Sequence, residues 1–227
     1  MINAKASFIG GIQDARRLES LYSYLFTQVH LSHNVIEDLL RQQIVIAVSA
    51  FDRLIHELVR LGIIESFNGT RVRTDKFKVT PFKASTVINL IHSSMPSFMP
   101  SSPDEIPSNI ISKDVFERNK TLSFQAPEKV KEALSYIWPE QNKLGKLADT
   151  MALPGGTTND RQKYLTQRLT LIVDRRNQIA HEGDIDPSTG NRQSITLNEA
   201  KEAVDFIELL GVTIFSEITN PSCYVTP

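Results

Sequence analysis

Three side chains that could act together on a phosphate diester lie in the segment DRRNQIAHEGD, residues 174–184. Arginine binds phosphate through two parallel hydrogen bonds, and histidine accepts and donates protons near neutral pH. Asn177 and His181 are four residues apart, which places them on one face of a helix. Arg176 and His181 are five residues apart and point roughly 140° away from each other. The residue types therefore indicate acid–base chemistry on phosphate, although a single helix does not make Arg176 and His181 converge.

The same segment also has a purely structural explanation. Arginine and histidine are common in the last turn of a helix because they complement its dipole. Gly183 directly follows and is a typical helix stop. At this point both explanations, helix capping and catalysis, remain open.

Two other patterns resemble ligand sites but fail in detail. If the acidic segment after the helix were a calcium loop beginning at Asp184, it would need a glycine and an acidic residue where Thr189 and Ile195 stand. We therefore expect a solvated turn there and no metal. The segment LPGGTT at 153–158 has no lysine in the position of a phosphate-binding loop, so we expect a turn that leads into a helix cap.

A third pattern is the pair Asp52 and His56, which are four residues apart in an apolar segment. This spacing places both side chains on one helix face. We expect a hydrogen-bonded pair in or near the core, with catalysis as the less favoured alternative.

Composition limits the classes of function. The 227 residues carry a net charge of −1, so a generally basic nucleic-acid-binding surface is not indicated and RNA contacts must come from a local patch. One cysteine excludes a disulfide scaffold within the chain. No apolar run reaches the ~20 residues that cross a bilayer, so we expect a cytoplasmic protein with no membrane partner and no cofactor.

The elements that must position these side chains are helices. Apolar residues recur at three- and four-residue steps, and the segment IVIAVSAF at 44–51 is apolar on nearly all sides, as in a central buried helix. Ser32 or Asn34 can cap this helix, and Asn34 and Glu37 have the spacing of a capping box. Gly62 is a candidate end of the helix. The pattern predicts an all-α single domain over residues 1–227, with helices at about 12–29, 34–62, 81–94, 113–124, 127–137, 140–151, 159–182 and 197–218.

Two segments are predicted to be non-helical. Residues 93–112 contain four prolines and seven serines, so we expect a long loop. Because Met95, Phe98, Met99 and Ile106 are interleaved, the loop is predicted to lie over the core, with partner binding as the alternative. The tail at 219–227 is expected to be frayed.

The helix that ends in the opening segment is locally basic. Residues 159–178 contain two acids and five basic residues, namely Arg161, Lys163, Arg168, Arg175 and Arg176. This predicts a face that could bind phosphates, with Arg175 and Arg168 as candidate RNA-binding residues. A solvated helix surface is the alternative for Arg161, Lys163 and Arg168.

RRNQIAHEGD at 175–184 resembles the signature of the HEPN superfamily, especially the RiboL-PSP-HEPN type. That signature is an arginine, usually followed by a polar residue, and then a histidine after a short gap near the end of a long helix. VSAFDRLIHELV at 48–59 is similar to the second helix of the same group. The resemblance implies a HEPN-type helical bundle, here with extra short helices and the long Pro/Ser-rich loop.

The resemblance also implies an activity. Active members are homodimeric, metal-independent endoribonucleases in which the arginine and histidine of both copies meet at a shared cleft. His181 would then be the general base or acid, Arg176 would bind the phosphate, and Asn177 would orient either group. A toxin or defence effector restrained by an antitoxin or partner protein would fit the family. The alternatives are an inactive HEPN module that binds RNA or a partner protein, and a purely structural helical domain.

Overall fold

The computed structural model describes residues 1–95, 99–100 and 102–225. Within these ranges the chain forms helices and two isolated β-bridges, with no β-strand. The predicted all-α class is confirmed. The helices are α1 (Ile2–Thr27), α2 (His33–Ile36), α3 (Asp38–Phe67), α4 (Asp75–Lys78), α5 (Ala84–Ser93), α6 (Pro107–Asn119), α7 (Pro127–Leu134), α8 (Lys143–Thr150), α9 (Thr158–Glu182) and α10 (Leu197–Ile218).

Helix α3 is the centre of the bundle, as its apolar sequence predicts. It packs against α1, α9 and α10 and also contacts α6 and α7. Because it has neighbours on several sides, apolar residues around most of its circumference are buried. The buried apolar side chains of α3 are Leu40, Ile44, Ala47, Val48, Phe51, Leu54, Ile55, Leu58, Val59 and Ile63.

Both predicted ends of this central helix are wrong. Asn34 and Glu37 do not form a capping box, because residues 33–36 form the separate short helix α2 and Glu37 instead pairs with Arg41 at 3.0 Å. Gly62 does not end α3 either. It is buried in the helix interior, where a Cβ would lie 2.5 Å from Cγ2 of Ile137, so glycine at this position permits close packing.

Helices α9 and α10 agree closely with the predicted ranges. The LPGGTT segment is a turn that leads into a cap, since Thr157 and Asp160 form a capping box at the start of α9. Its apolar residues recur at three- and four-residue steps and are buried, as Leu165, Leu169 and Ile172 show. Gly183 ends α9 in the left-handed conformation, with φ of 64°. The end of the helix that carries Arg176 and His181 is therefore well defined.

Close packing of α10 against α1 and α3 gives a testable prediction at Gly211. A Cβ there would lie 2.5 Å from Cε1 of Phe8 and 3.2 Å from Cδ2 of Leu54, both of which are buried. We expect Gly211→Ala to lower the free energy of unfolding by about 1–3 kcal/mol through overpacking, as measured by urea denaturation. Gly10→Ala is the control because nothing lies within 4 Å of its Cβ position, and alanine there removes the cost of glycine in a helix. Equal stability of the two variants would contradict the prediction.

The predicted loop at 93–112 is only partly non-helical, because α6 begins at Pro107. Proline at the first position of a helix is tolerated, since its missing N–H would have no partner within the helix. Ile111 on this helix is fully buried. The expectation that the proline content excludes a helix throughout the segment is therefore wrong.

The remainder of this segment does not cover the core as expected. Met99 is 86% exposed, and Met95 and Ile106 are also exposed. The prediction for Phe98 lies outside the described residues, as do those for the other residues of 96–98 and for residue 101.

The tail is ordered rather than frayed over the part that the structure describes. Cys223 is 1% exposed, and its carbonyl accepts a hydrogen bond from the N–H of Val72 at 3.0 Å. The guanidinium of Arg71 donates to the hydroxyl of Tyr224 at 3.0 Å and lies over its ring. These contacts hold the tail, and residues 226–227 lie outside the described range.

Membrane crossing requires a helix that is both long and apolar. Among the helices of the described ranges, none meets that requirement.

Candidate functional site

Arg176, Asn177 and His181 lie in the last two turns of α9. His181 is exposed, and neither ring nitrogen has a hydrogen-bond or ion-pair partner in the described part of the chain. Arg176 and Asn177 are half-buried, and Nη1 of Arg176 donates to Oδ1 of Asn177 at 3.0 Å. The imidazole is therefore accessible, while the arginine is oriented by its neighbour.

Within one chain, a hydrogen bond joins two of the three predicted catalytic residues. Arg176 contacts Asn177, and Asn177 shares a helix face with His181 by its i, i+4 spacing. Nε of Arg176 is buried and, within the described residues, has no hydrogen-bond partner. Among those residues no hydrogen bond joins Arg176 to His181. Within the described residues, a single chain therefore does not bring Arg176 and His181 into hydrogen-bond contact.

A buried cluster of two arginines and one aspartate fixes the end of α9. Asp184 is fully buried, and its Oδ2 accepts from Nε of Arg41 at 2.6 Å and from Nη2 of Arg175 at 2.9 Å. Arg41, on α3, is 1% exposed. Because this cluster links the central helix to the residue that follows Gly183, it anchors the segment that carries His181.

Asp184 therefore does not lie in a solvated turn, and that prediction was wrong. Its φ of 63° continues the left-handed turn that begins at Gly183 and directs the side chain inward. The Asp184 N–H donates to the carbonyl of Gln178 at 3.0 Å, and its own carbonyl accepts from the N–H of Gln193 at 2.8 Å. The backbone and the carboxylate thus hold the same turn.

Further acids stabilise the buried charge of Arg41. Nη1 lies 3.0 Å from Glu37 and 3.2 Å from Asp38, and Nη2 donates to the carbonyl of Gln193 at 2.7 Å. Burial opposes the charged form, but the hydrogen bonds to Asp184 and Glu37 outweigh it and raise the pKa of Arg41. Arg41 is consequently a permanent buried cation at the base of the site.

The two residues predicted to bind RNA through local charge differ in what they contact. Arg175 is turned inward, donating to the side chain of Gln193 at 2.6 Å and the carbonyl of Ser194 at 2.9 Å besides Asp184. These contacts give it a structural function. Arg168 is on the surface and pairs with Glu202 at 3.1 Å.

The predicted hydrogen-bonded pair of Asp52 and His56 is not formed. Their nearest charged atoms are 3.9 Å apart. Asp52 instead accepts from the N–H of Phe124 at 2.6 Å, and Nε2 of His56 lies 3.3 Å from the carbonyl of Leu122. Both residues hold the segment before α7, so the structure supports a positioning function for them.

The acidic residues around the end of α9 do not combine into a metal site. Asp186 accepts hydrogen bonds from the N–H and hydroxyl of Ser188, which lower the pKa of its carboxyl. Across residues 1–95, 99–100 and 102–225 there is no group of three or more histidine, cysteine or acidic side chains arranged to bind a metal ion.

Comparison with known protein families gives one match to this chain. The sequence model of the RiboL-PSP-HEPN family matches residues 12–220, a range that includes α3, α9 and the whole of the 174–184 segment. Comparisons with curated proteins and with solved structures found no match.

Proposed function

Because the chain belongs to the RiboL-PSP-HEPN family, we propose that it is a metal-independent endoribonuclease. HEPN-type modules are often ribonucleases. The observation that carries the proposal is an accessible His181, without a partner among the described residues, beside the Arg176–Asn177 pair. Both lie on a helix end anchored by the buried cluster of Arg41, Asp184 and Arg175. Anchoring matters because a catalytic group must be held close to its productive geometry.

The reaction needs only groups of the substrate and of these residues. His181 removes the proton from a ribose 2′-hydroxyl, whose oxygen attacks the adjacent phosphorus. Arg176 binds the phosphate oxygens and stabilises the negative charge of the pentacoordinate transition state. Asn177 orients Arg176 or the imidazole. The bond to the 5′-oxygen breaks and that oxygen takes up the proton that the imidazole removed, which gives a 2′,3′-cyclic phosphate and a 5′-hydroxyl.

We further propose that two copies form the complete site. Since Arg176 and His181 point roughly 140° apart on an ideal helix, a two-fold axis near the end of α9 would let the arginine of one copy face the histidine of its partner. Arg168, whose pairing with Glu202 is at the surface, would bind RNA outside the reacting groups, whereas Arg175 would position the anchored turn.

The cellular function that fits such a nuclease is that of a toxin or defence effector in the cytoplasm, acting as a single HEPN-type domain. An unrestrained ribonuclease would damage its own cell, so the proposal includes an antitoxin or partner protein that blocks the site.

A 2′-deoxy substitution tests the proposed reaction directly. We expect an RNA oligonucleotide that is cleaved at one position to become resistant at that position when its 5′-side nucleotide is 2′-deoxy, because the attacking group is then absent. Cleavage is followed by gel electrophoresis with EDTA present, and a 2′-deoxy substitution several nucleotides away is the control. Continued cleavage at the substituted position would contradict attack by the 2′-hydroxyl.

A further inference from the structure

A pocket of about 480 Å³ lies beside the anchored turn, between α9, α10 and the segment before α10. Its floor is apolar, since Ile172 and Ile195 are almost fully buried and Ile44 and Ala203 complete it. Leu171, which is 63% exposed, forms one edge. An apolar floor of this kind suits the face of a nucleobase.

The pocket adjoins the proposed catalytic residues along α9. Gln178 and Asp174 line it and precede His181 by three and seven residues. On a helix these positions lie within about 60° and 20° of the direction of His181 and about 4.5 and 10.5 Å along the axis. A nucleotide next to the phosphate at Arg176 and His181 would therefore reach the pocket.

Three carboxylates line the rim of the pocket, and one of them is available to bind a ligand. Glu199 caps α10 through Thr196, and Glu202 pairs with Arg168, so both are occupied. Asp174 is exposed and has no hydrogen-bond or ion-pair partner in the chain as described. Oε1 of Gln178 accepts from the side chain of Gln193 at 3.1 Å, which leaves its amide nitrogen as a donor.

We propose that this pocket is a guanine-binding subsite of the ribonuclease, an inference that rests on the proposed function. The N1–H and N2–H₂ groups of guanine are adjacent donors, and the carboxylate of Asp174 can accept from both. The amide of Gln178 can donate to O6. Adenine, cytosine and uracil do not present two adjacent donors with a neighbouring acceptor on the same edge.

Binding of uncleavable oligonucleotides tests the subsite. The probes are fluorescent oligo-2′-deoxyuridylates, which lack every attacking 2′-hydroxyl, with a single 2′-deoxyguanosine, 2′-deoxyinosine or 2′-deoxyadenosine at one position. Affinity is measured by anisotropy. We expect wild type to bind the guanine probe about tenfold more tightly than the adenine probe, and Asp174→Asn to reduce that ratio to about twofold. Inosine, which lacks the N2 amine, should lie between the two.

Asp75→Asn is the matched control, because it removes an equal charge from the exposed helix α4 and should keep the tenfold preference.

Equal affinity of wild type for the three probes, or a preference unchanged by Asp174→Asn, would overturn the subsite. The variant Leu171→Glu, at the edge of the pocket, gives a further test. If this variant loses the dimer but keeps the base preference, a second copy covers the pocket and the guanine subsite is overturned. Cleavage without base preference refutes the subsite alone, whereas base preference with no cleavage of any RNA refutes the nuclease alone.

Discussion

Asp184→Asn is expected to lower the free energy of unfolding by about 3–5 kcal/mol, as measured by urea denaturation. The substitution keeps the shape of the side chain but removes the negative charge that faces Arg41 and Arg175 at 2.6 and 2.9 Å. Arg41 is 1% exposed, so water cannot replace the lost partner. Glu37 and Asp38 still face Arg41, which favours the lower end of the range.

Asp186→Asn is the control for this experiment. It removes the same charge two residues further along, from a side chain whose hydrogen bonds, among the described residues, are to Ser188 and Thr189 of its own turn. We expect no measurable loss of stability. If Asp184→Asn were no more destabilising than Asp186→Asn, the buried cluster would not hold the turn and the structural account of the site would be wrong.

His181→Ala is expected to lower the rate of RNA cleavage by about 10²–10⁴-fold, the usual contribution of a general acid or base. Because His181 is exposed and unpartnered within the described residues, the free energy of unfolding should not change. The rate is measured under single-turnover conditions with a fluorescently labelled RNA, and the unfolding curve is measured on the same preparation.

Lys163→Ala is the control for loss of an exposed polar side chain from the same helix. Lys163 is exposed on α9 five turns before His181, and its removal should leave the rate unchanged. A His181→Ala variant that cleaves as fast as wild type would show that His181 takes no part in the reaction.

Local sequence patterns predicted the helices that carry the site. Helix α9 follows from one stripe of apolar residues between a capping segment and Gly183, and α3 follows from a segment that is apolar on all sides. Such features depend on neighbours within a few residues. They can be identified without knowledge of the tertiary structure.

The anchor of the site could not be predicted in this way. Asp184 follows a helix stop, where an aspartate is usually solvated, and its partner Arg41 lies 143 residues earlier in the chain. Only the packing of α3 against α9 brings the two charges together. The signal available was Arg41 itself, an arginine three residues before the apolar run at 44–51, because a charge that is buried there needs an internal partner.

Two predictions failed because they relied on the composition of a segment or its place in the chain and not on its position in the fold. Proline content predicted a loop at 93–112, yet Pro107 begins α6, where proline is tolerated. Proximity to a chain end predicted fraying at 219–227, yet Arg71 holds Tyr224 from a distant part of the chain. The first error arises because proline is compatible with the first turn of a helix, and the second because a tertiary contact holds a segment that would otherwise fray.

The central claim is that the chain cleaves RNA by metal-independent attack of the 2′-hydroxyl, and its most direct test is the chemistry of the new ends. Purified protein is incubated with RNA in EDTA, and the products are examined by mass spectrometry, with His181→Ala in parallel. The account predicts 2′,3′-cyclic phosphate and 5′-hydroxyl ends from wild type and none from the variant. No cleavage of several RNAs by folded wild type, or products with 5′-phosphate ends, would contradict it.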